Sequence, residues 1–334
     1  MSEIPAGAMR FNSDSQKLEY WNGSAWFQVH TATSNLATAG DREPGARGLR
    51  GGGQTPGNTD TIDYVNIAST GNAVDFGNLS ASRFGAGGIG SSTRGLFVGG
   101  GTPTRLNTIE FVTISSTGNV IDFGDLTKQA TVAGASTGNA TRGLTFGGAT
   151  SSGTSDIIDY VTISSTGAAV DFGDCTQQNG SVAVSSPVRA ISAGGDSAAN
   201  GSHINTIDFV TISTTGDAQD FGDLSRVGTG RGVSSPVRGI LQFTGPALSK
   251  SLDYLTIATT GNSQKFGDLV SDCLSSAASY SSPTRGVFAG IRTPTVTNTI
   301  EYIIIQTEGN AVDFGDLTQT ANNAGGCSNA HGGL

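Results

Sequence analysis

Aspartate pairs spaced three apart recur along this 334-residue sequence: Asp122/Asp125, Asp171/Asp174, Asp220/Asp223 and Asp313/Asp316, each pair flanking Phe-Gly. Neighbouring carboxylates could hold a calcium ion, because hard cations take oxygen ligands. On a strand, residues i and i+3 point to opposite faces, so each pair is not expected to converge on one ion. Asn78 and Lys265 also break the acidic pattern in two copies. The expected role is a turn cap or a hydrogen bond to a neighbouring sheet. An arginine recurs in step with the aspartates, at Arg47, Arg94, Arg142, Arg189, Arg238 and Arg285. A brace to a neighbouring copy is expected, with an anion-holding ring of arginines as the alternative.

Other chemistry finds little footing. His30, His203 and His331 are scattered, which offers no three-histidine metal centre. The stretch Gly85–Gly90 fits G-x-G-x-x-G but precedes a Ser-Ser-Thr turn instead of a helix. The repeated Asp-Phe-Gly lacks the Gly-rich loop, lysine and catalytic-loop context of a kinase. No G-x-S-x-G occurs. Paired carboxylates for glycoside cleavage stay open among the 27 Asp and Glu. No catalytic residue, metal or cofactor is expected.

The elements that carry these residues form a repeat. Its core reads TIEFVTISSTGNVIDFGDL from Thr108, and returns from Thr61, Ile157, Thr206, Ser251 and Thr299. Ile62, Ile109, Ile158, Ile207, Leu252 and Ile300 mark the period, at 47, 49, 49, 45 and 48 residues apart. Within one copy, β-branched and aromatic runs alternate with Gly, Asn and Ser turns, which reads as four short strands. A period near 48 of that kind is one propeller blade. The expected fold is therefore an all-β, six-bladed β-propeller of four-stranded blades spanning residues 46–334.

Small residues suit the crowded strand nearest the axis, at Gly85–Gly90, Val132–Ser136, Ser181–Ser186 and Ala324–Ser328. Ala324–Ser328 is expected to complete the first blade, hiding two sheet edges. Phe76, Phe123, Phe172, Phe221, Phe266 and Phe314 share one repeat position in the outer strand. Each such burial is worth roughly 1.5–3 kcal/mol.

Composition bounds the partners. A net charge of −9 argues against nucleic acid, which needs a basic stripe. No apolar run approaches the ~18 residues of a membrane helix, and MSEIPAGAMR has no apolar signal region. Cys175, Cys273 and Cys327 are odd in number and fit unbridged thiols in a chain made in a cytoplasm.

The order small strand, R-G-Φ-x-x-GG, loop, aromatic strand, turn, aromatic strand resembles kelch repeats, with double glycines at Gly99–Gly100, Gly147–Gly148 and Gly194–Gly195. The kelch Tyr–Trp pair is approximated only by Tyr or Phe in the third strand and Phe in the fourth. The wording IDYVTISSTG…DFGDLT followed by S-S-P-T-R-G is similar to repeats in virion structural and tail-fibre proteins of cyanophages and other marine tailed phages. Residues 6–29 resemble a small module of phage fibre proteins. The resemblance implies a kelch-like, non-enzymatic virion component, most of all a tail-fibre or appendage protein, located in the virion and built as a trimer in many phage appendages.

Residues 1–30 read as a small β attachment module and residues 31–45 as a linker. So small a unit cannot cover Phe11, Tyr20, Trp21, Trp26 and Phe27 by itself, so these are the candidate contacts to other virion proteins. In the repeats, the 1–2 and 3–4 turns are nearly uniform and the 2–3 and 4–1 loops vary. The variable rim is the expected binding face for a host-surface glycan or protein. Its candidates are Gln54, Asn58, Thr104, Arg105, Asn107, Ser152, Thr154, Asn200, His203 and Asn205. A structural subunit whose rim packs on other virion proteins, and a carbohydrate-processing enzyme, remain the alternatives.

Overall fold

A computed structural model describes residues 5, 7–12, 17–28, 47–132, 134–177, 182–197, 202–244, 248–273, 275–293 and 295–334. The linker residues 31–45, His30 and Asn200 lie outside them. The described residues contain strands and no helix. Contacts divide the chain into two units, Met1–Glu43 and Pro44–Leu334.

The first unit is a three-stranded antiparallel sheet of Met9–Asn12, Lys17–Trp21 and Trp26–Gln28. The Asn22 side chain accepts from the Ser24 and Ala25 amides at 2.8 Å and so caps the second turn. One face is self-contained: Arg10 pairs with Glu19 at 2.9 Å and lies 4.2 Å over Trp26, which packs on Trp21. On the other face Met9, Phe11, Tyr20 and Phe27 are exposed, Phe11 by 66%.

The second unit holds five four-stranded antiparallel sheets and a sixth in which a short strand is added to the four-stranded path. The second sheet is representative: Gly87–Gly90, Arg94–Val98, Thr108–Thr113 and Ile121–Asp125, paired in that order. The first sheet draws its first strand from far along the chain. Gly325–Ser328 pairs with Arg47–Gly51, Ser328 facing Gly48, beside Thr61–Asn66 and Val74–Asn78.

Alternation sets the layers. Ile62, Ile109, Ile158, Ile207, Leu252 and Ile300 are fully buried in the third strands, as are the six repeated phenylalanines of the fourth to within 4%. Each phenylalanine meets the ring of its own third strand edge-on, Phe76 on Tyr64 at 5.8 Å for example, a geometry that adds about 0.5–1.5 kcal/mol to the area buried.

One expectation about strand position is corrected. The first strand of the third sheet is Ser136–Gly138, not Val132–Ser136. The end of each first strand is set by a capping side chain whose oxygen accepts the amide of the repeated arginine. Ser91, Ser186, Ser235 and Ser282 do this at 3.0 Å and Asn139 at 2.9 Å. In the first sheet Asn329 takes that place, accepting from Arg47 at 3.1 Å across the strand junction.

A second correction concerns strict alternation in the fourth strands. All six carry a β-bulge, seen as a register shift opposite Ile62/Asp63 and its equivalents. Across it, residues i and i+3 no longer fall on opposite faces. The bulged glycine also touches the next sheet. A Cβ on Gly222, at φ +147°, would lie 2.6 Å from the Gly261 carbonyl, whereas one on Gly261 would meet open space. Gly222→Ala is expected to cost about 2–4 kcal/mol and clearly more than Gly261→Ala, measured by urea unfolding of the two variants.

Candidate binding site

The repeated polar residues are consumed in joining neighbouring sheets. The arginine that opens each second strand lies 4.6–4.9 Å over the aromatic ring of its own third strand. Its Nη1 donates to a carbonyl of the next sheet: Arg47 to Ile114, Arg94 to Ile163, Arg142 to Ile212, Arg189 to Ile257, Arg238 to Ile305. Arg285 of the sixth sheet donates to Ile67 of the first, so the series closes. These arginines brace neighbours.

A second closed series was not visible in sequence. The acid of each third strand, Asp63, Glu110, Asp159, Asp208, Asp253 and Glu301, is at most 4% exposed. Each accepts from the end of the fourth strand of the preceding sheet or from the segment that follows it. The donors are the hydroxyls of Thr318, Ser80, Thr127, Thr176 and Ser225 and the Val270 amide. Four of the acids also face a cation: Arg50, Arg83, Lys128 and Arg226 stand opposite Asp63, Glu110, Asp159 and Asp253.

Among the described residues Asp208 and Glu301 have no ion-pair partner, and burial raises the pKa of both above the carboxylate range, against the hydrogen bonds of Thr176 and of Val270 and Ser271. A raised folded-state pKa gives stability that is full below the unfolded value and lost as pH rises through the folded one. Asp208→Asn, which cannot ionise, is therefore expected to flatten the fall in stability above pH ~4, read from melting temperatures between acid and neutral pH.

The Asp-Phe-Gly-Asp pairs serve the same joints. The main-chain amides of Asn78, Asp174, Asp223, Asp268 and Asp316 donate to Asn119, Asp217, Asn262, Asn310 and Asn72 in the next sheet's turn. Slight burial, then Asp156, Asp217 and Asp171, raise the Asp174 pKa. Among the described residues no three His, Cys, Asp or Glu side chains gather as metal ligands would.

The variable loops are placed differently. A groove of about 450 Å3 opens where the 2–3 loops of the first and sixth sheets meet the 4–1 segment between them. Gln54, Thr55 and Pro56 form one wall; Arg292, Val296, Thr320 and Asn322 form the rest. The wall is pinned by reciprocal main-chain bonds, Gln54 to Asn322 at 2.9 Å and back at 3.2 Å, and by a Thr55–Thr320 hydroxyl contact. Gln54 reaches Asn58 at 3.3 Å. Among the described residues the lining holds one cation, Arg292, and no carboxylate; the Asn322 Oδ1 is buried and makes no hydrogen bond to any described residue.

The other candidates are spread over the loops of further sheets. Thr104 and Arg105 pair back onto Gly101–Thr102 in a small ribbon. Thr150 bonds Ser152 at 3.1 Å beside Thr154. His203 bonds Asp196 at 2.6 Å, the pair half-exposed. Asn107 and Asn205 use their carbonyls to hold the amides of Leu126 and Leu224, both at 2.7 Å.

The chain matches no protein-family model and no curated protein sequence.

Of the candidates among the described residues, Gln54 alone lines the groove. Arg292, Thr320 and Asn322 come from segments some 240–270 positions away from Gln54 in a chain of 334, which the local pattern does not bring together. One signal was available: the sixth copy alone has an arginine directly after its second-strand core, in IRTPTVTN. In the first unit, Phe11, Tyr20 and Phe27 share the exposed apolar face, while Trp21 and Trp26 lie on the opposite one.

Proposed function

We propose that the second unit is a six-bladed, kelch-like propeller in a non-enzymatic virion component of a tailed phage, a tail-fibre or appendage protein. The two closed series of inter-sheet bonds, running from the sixth sheet back to the first, support the ring. The variable rim binds a host-surface receptor, and the first unit fastens the protein to other virion components.

One observation carries the binding role. The repeated side chains are spent on sheet-to-sheet joints, while the irregular loops leave a pinned groove of sugar-sized volume lined by amide, hydroxyl and guanidinium groups. Such groups hydrogen-bond hydroxyls and carboxylates, so the ligand class is a polar glycan. The exposed face of Met9, Phe11, Tyr20 and Phe27 fits attachment, since an apolar patch of this kind is usually covered by a partner.

The test is binding of the purified protein to host cells and to their surface polysaccharide. Arg292→Ala is expected to weaken binding by about tenfold or more, in line with loss of a charge-assisted hydrogen bond, with the melting temperature unchanged. Equal binding by Arg292→Ala and the parent would move the site away from this groove. Electron microscopy of the particle separates the structural-subunit reading, in which the rim is buried against neighbouring proteins.

A further inference from the structure

The first strands of the six sheets surround a second cavity, about 50 Å3 in volume and too small for a sugar. It has room for one or two water-sized occupants. Its wall is mostly glycine and serine. The serines are already committed to their neighbours: Ser281 Oγ donates to Ser234 O at 3.0 Å and Ser328 Oγ to Ser281 O at 2.6 Å. His331 reaches the wall from beyond Gly325–Ser328, with Nε2 on Gly90 O at 2.8 Å and Nδ1 accepting from the Gly333 amide at 3.1 Å. With those two contacts the ring is neutral, and burial lowers its pKa from the usual value.

Charge enters this wall through Arg231, in the first strand Thr229–Ser234 of the fifth sheet. It is 6% exposed. Its Nε and Nη2 donate to Ala277 O at 3.2 and 3.0 Å, Nη2 also to Ala324 O at 3.4 Å, and Nη1 to Gly230 O at 3.1 Å. All of these acceptors are neutral. The comparison with the other two deeply buried arginines is direct: Arg50 faces Asp63 and Arg83 faces Glu110. Among the described residues no carboxylate lies within 4.0 Å of Arg231. Cys273 acts on it electrostatically, raising its pKa against the effect of burial. Burial lowers its pKa only to about 10, so the guanidinium stays protonated at neutral pH.

A guanidinium has five N–H donors, and the four contacts leave one on Nη1. An uncompensated charge in a low-dielectric wall is costly unless a counter-ion joins it. We propose that this cavity binds a small monovalent inorganic anion of halide size, held by Arg231. The ion offsets the buried charge at the point where the first strands of the fifth, sixth and first sheets converge, and so links occupancy to the closure of the assembly. The site is independent of the rim groove.

Bromide is the probe. Crystals grown with bromide in place of chloride are expected to show an anomalous peak within hydrogen-bond distance of Arg231 Nη1. The melting temperature should rise saturably by about 2–4 °C from gluconate to chloride or bromide at constant ionic strength. Arg231→Gln should lose both effects, and Lys250→Gln, at an exposed site, should keep both. If Arg231→Gln fails to fold, the parent protein decides by itself. No bromide peak together with equal melting in halide and gluconate overturns the proposal. Cys273→Ser then reports whether the thiolate balances the charge, because that variant alone would acquire halide dependence.

Discussion

Asp63→Ala is expected to cost about 3–5 kcal/mol, the usual penalty for leaving one member of a buried ion pair without its partner. Arg50 and Asp63 are both fully buried, and Arg50 Nη1 donates to the Gly52 carbonyl at 2.7 Å. Asp63 also accepts from Thr318, one of the contacts that join the sixth sheet to the first. The substitution therefore strands a cation and loosens the junction in one step. Replacing both partners together, Arg50→Met with Asp63→Leu, should cost much less, because no charge is left behind. Urea unfolding of the two variants checks this, and equal losses would mean that the salt bridge is not the main term. Against a total stability of about 5–15 kcal/mol, the single change removes a large share.

Truncation before Gly325 is expected to be the most damaging change. It removes the strand paired with Arg47–Gly51 and bares that strand's edge, in which Leu49 and Arg50 are fully buried. It also removes Cys327 from the cluster of Leu49, Ile62, Phe76 and Phe97, and the Asn329 cap on Arg47. An unpaired central-strand edge is a template for aggregation. The expected result is loss of a cooperative melt by circular dichroism and high-mass species by size exclusion. Deleting only residues 332–334 should leave a folded protein that melts a few degrees lower, since it removes the Gly333 contact to His331 but no strand pair. A truncated protein that melts cooperatively near the parent's temperature would show that this pairing is dispensable.

Local structure was legible because it depends on neighbours in sequence. Alternating aliphatic and aromatic residues bounded by Ser-Thr-Gly turns specify strands wherever they occur, and six copies repeat the message. The arginine spacing likewise implied a brace, because a residue returning once per sheet most simply serves the sheet. Where the first strand of the third sheet lies was misread, because small residues extend past its true start. Its end is marked by Asn139, a cap recognisable only once the other caps are aligned with it.

What the sequence by itself determined was thus the strand content, the repeat and the burial of its aliphatic and phenylalanine positions. Apart from the pairing of Gly325–Ser328 with Arg47–Gly51, which the repeat already implied, the tertiary structure decided the contacts between copies. Asp63 and its equivalents read as polar strand residues, and only packing shows them buried, each against the preceding sheet. Arg231 and Arg292 are each a single arginine in a glycine- or threonine-rich stretch, yet one is buried in the wall of a small cavity and the other lines a surface groove. The physical reason is common to both. Periodicity tells which way a side chain points from its own strand, but burial and charge compensation depend on groups brought from distant segments, and those meet only when the sheets pack.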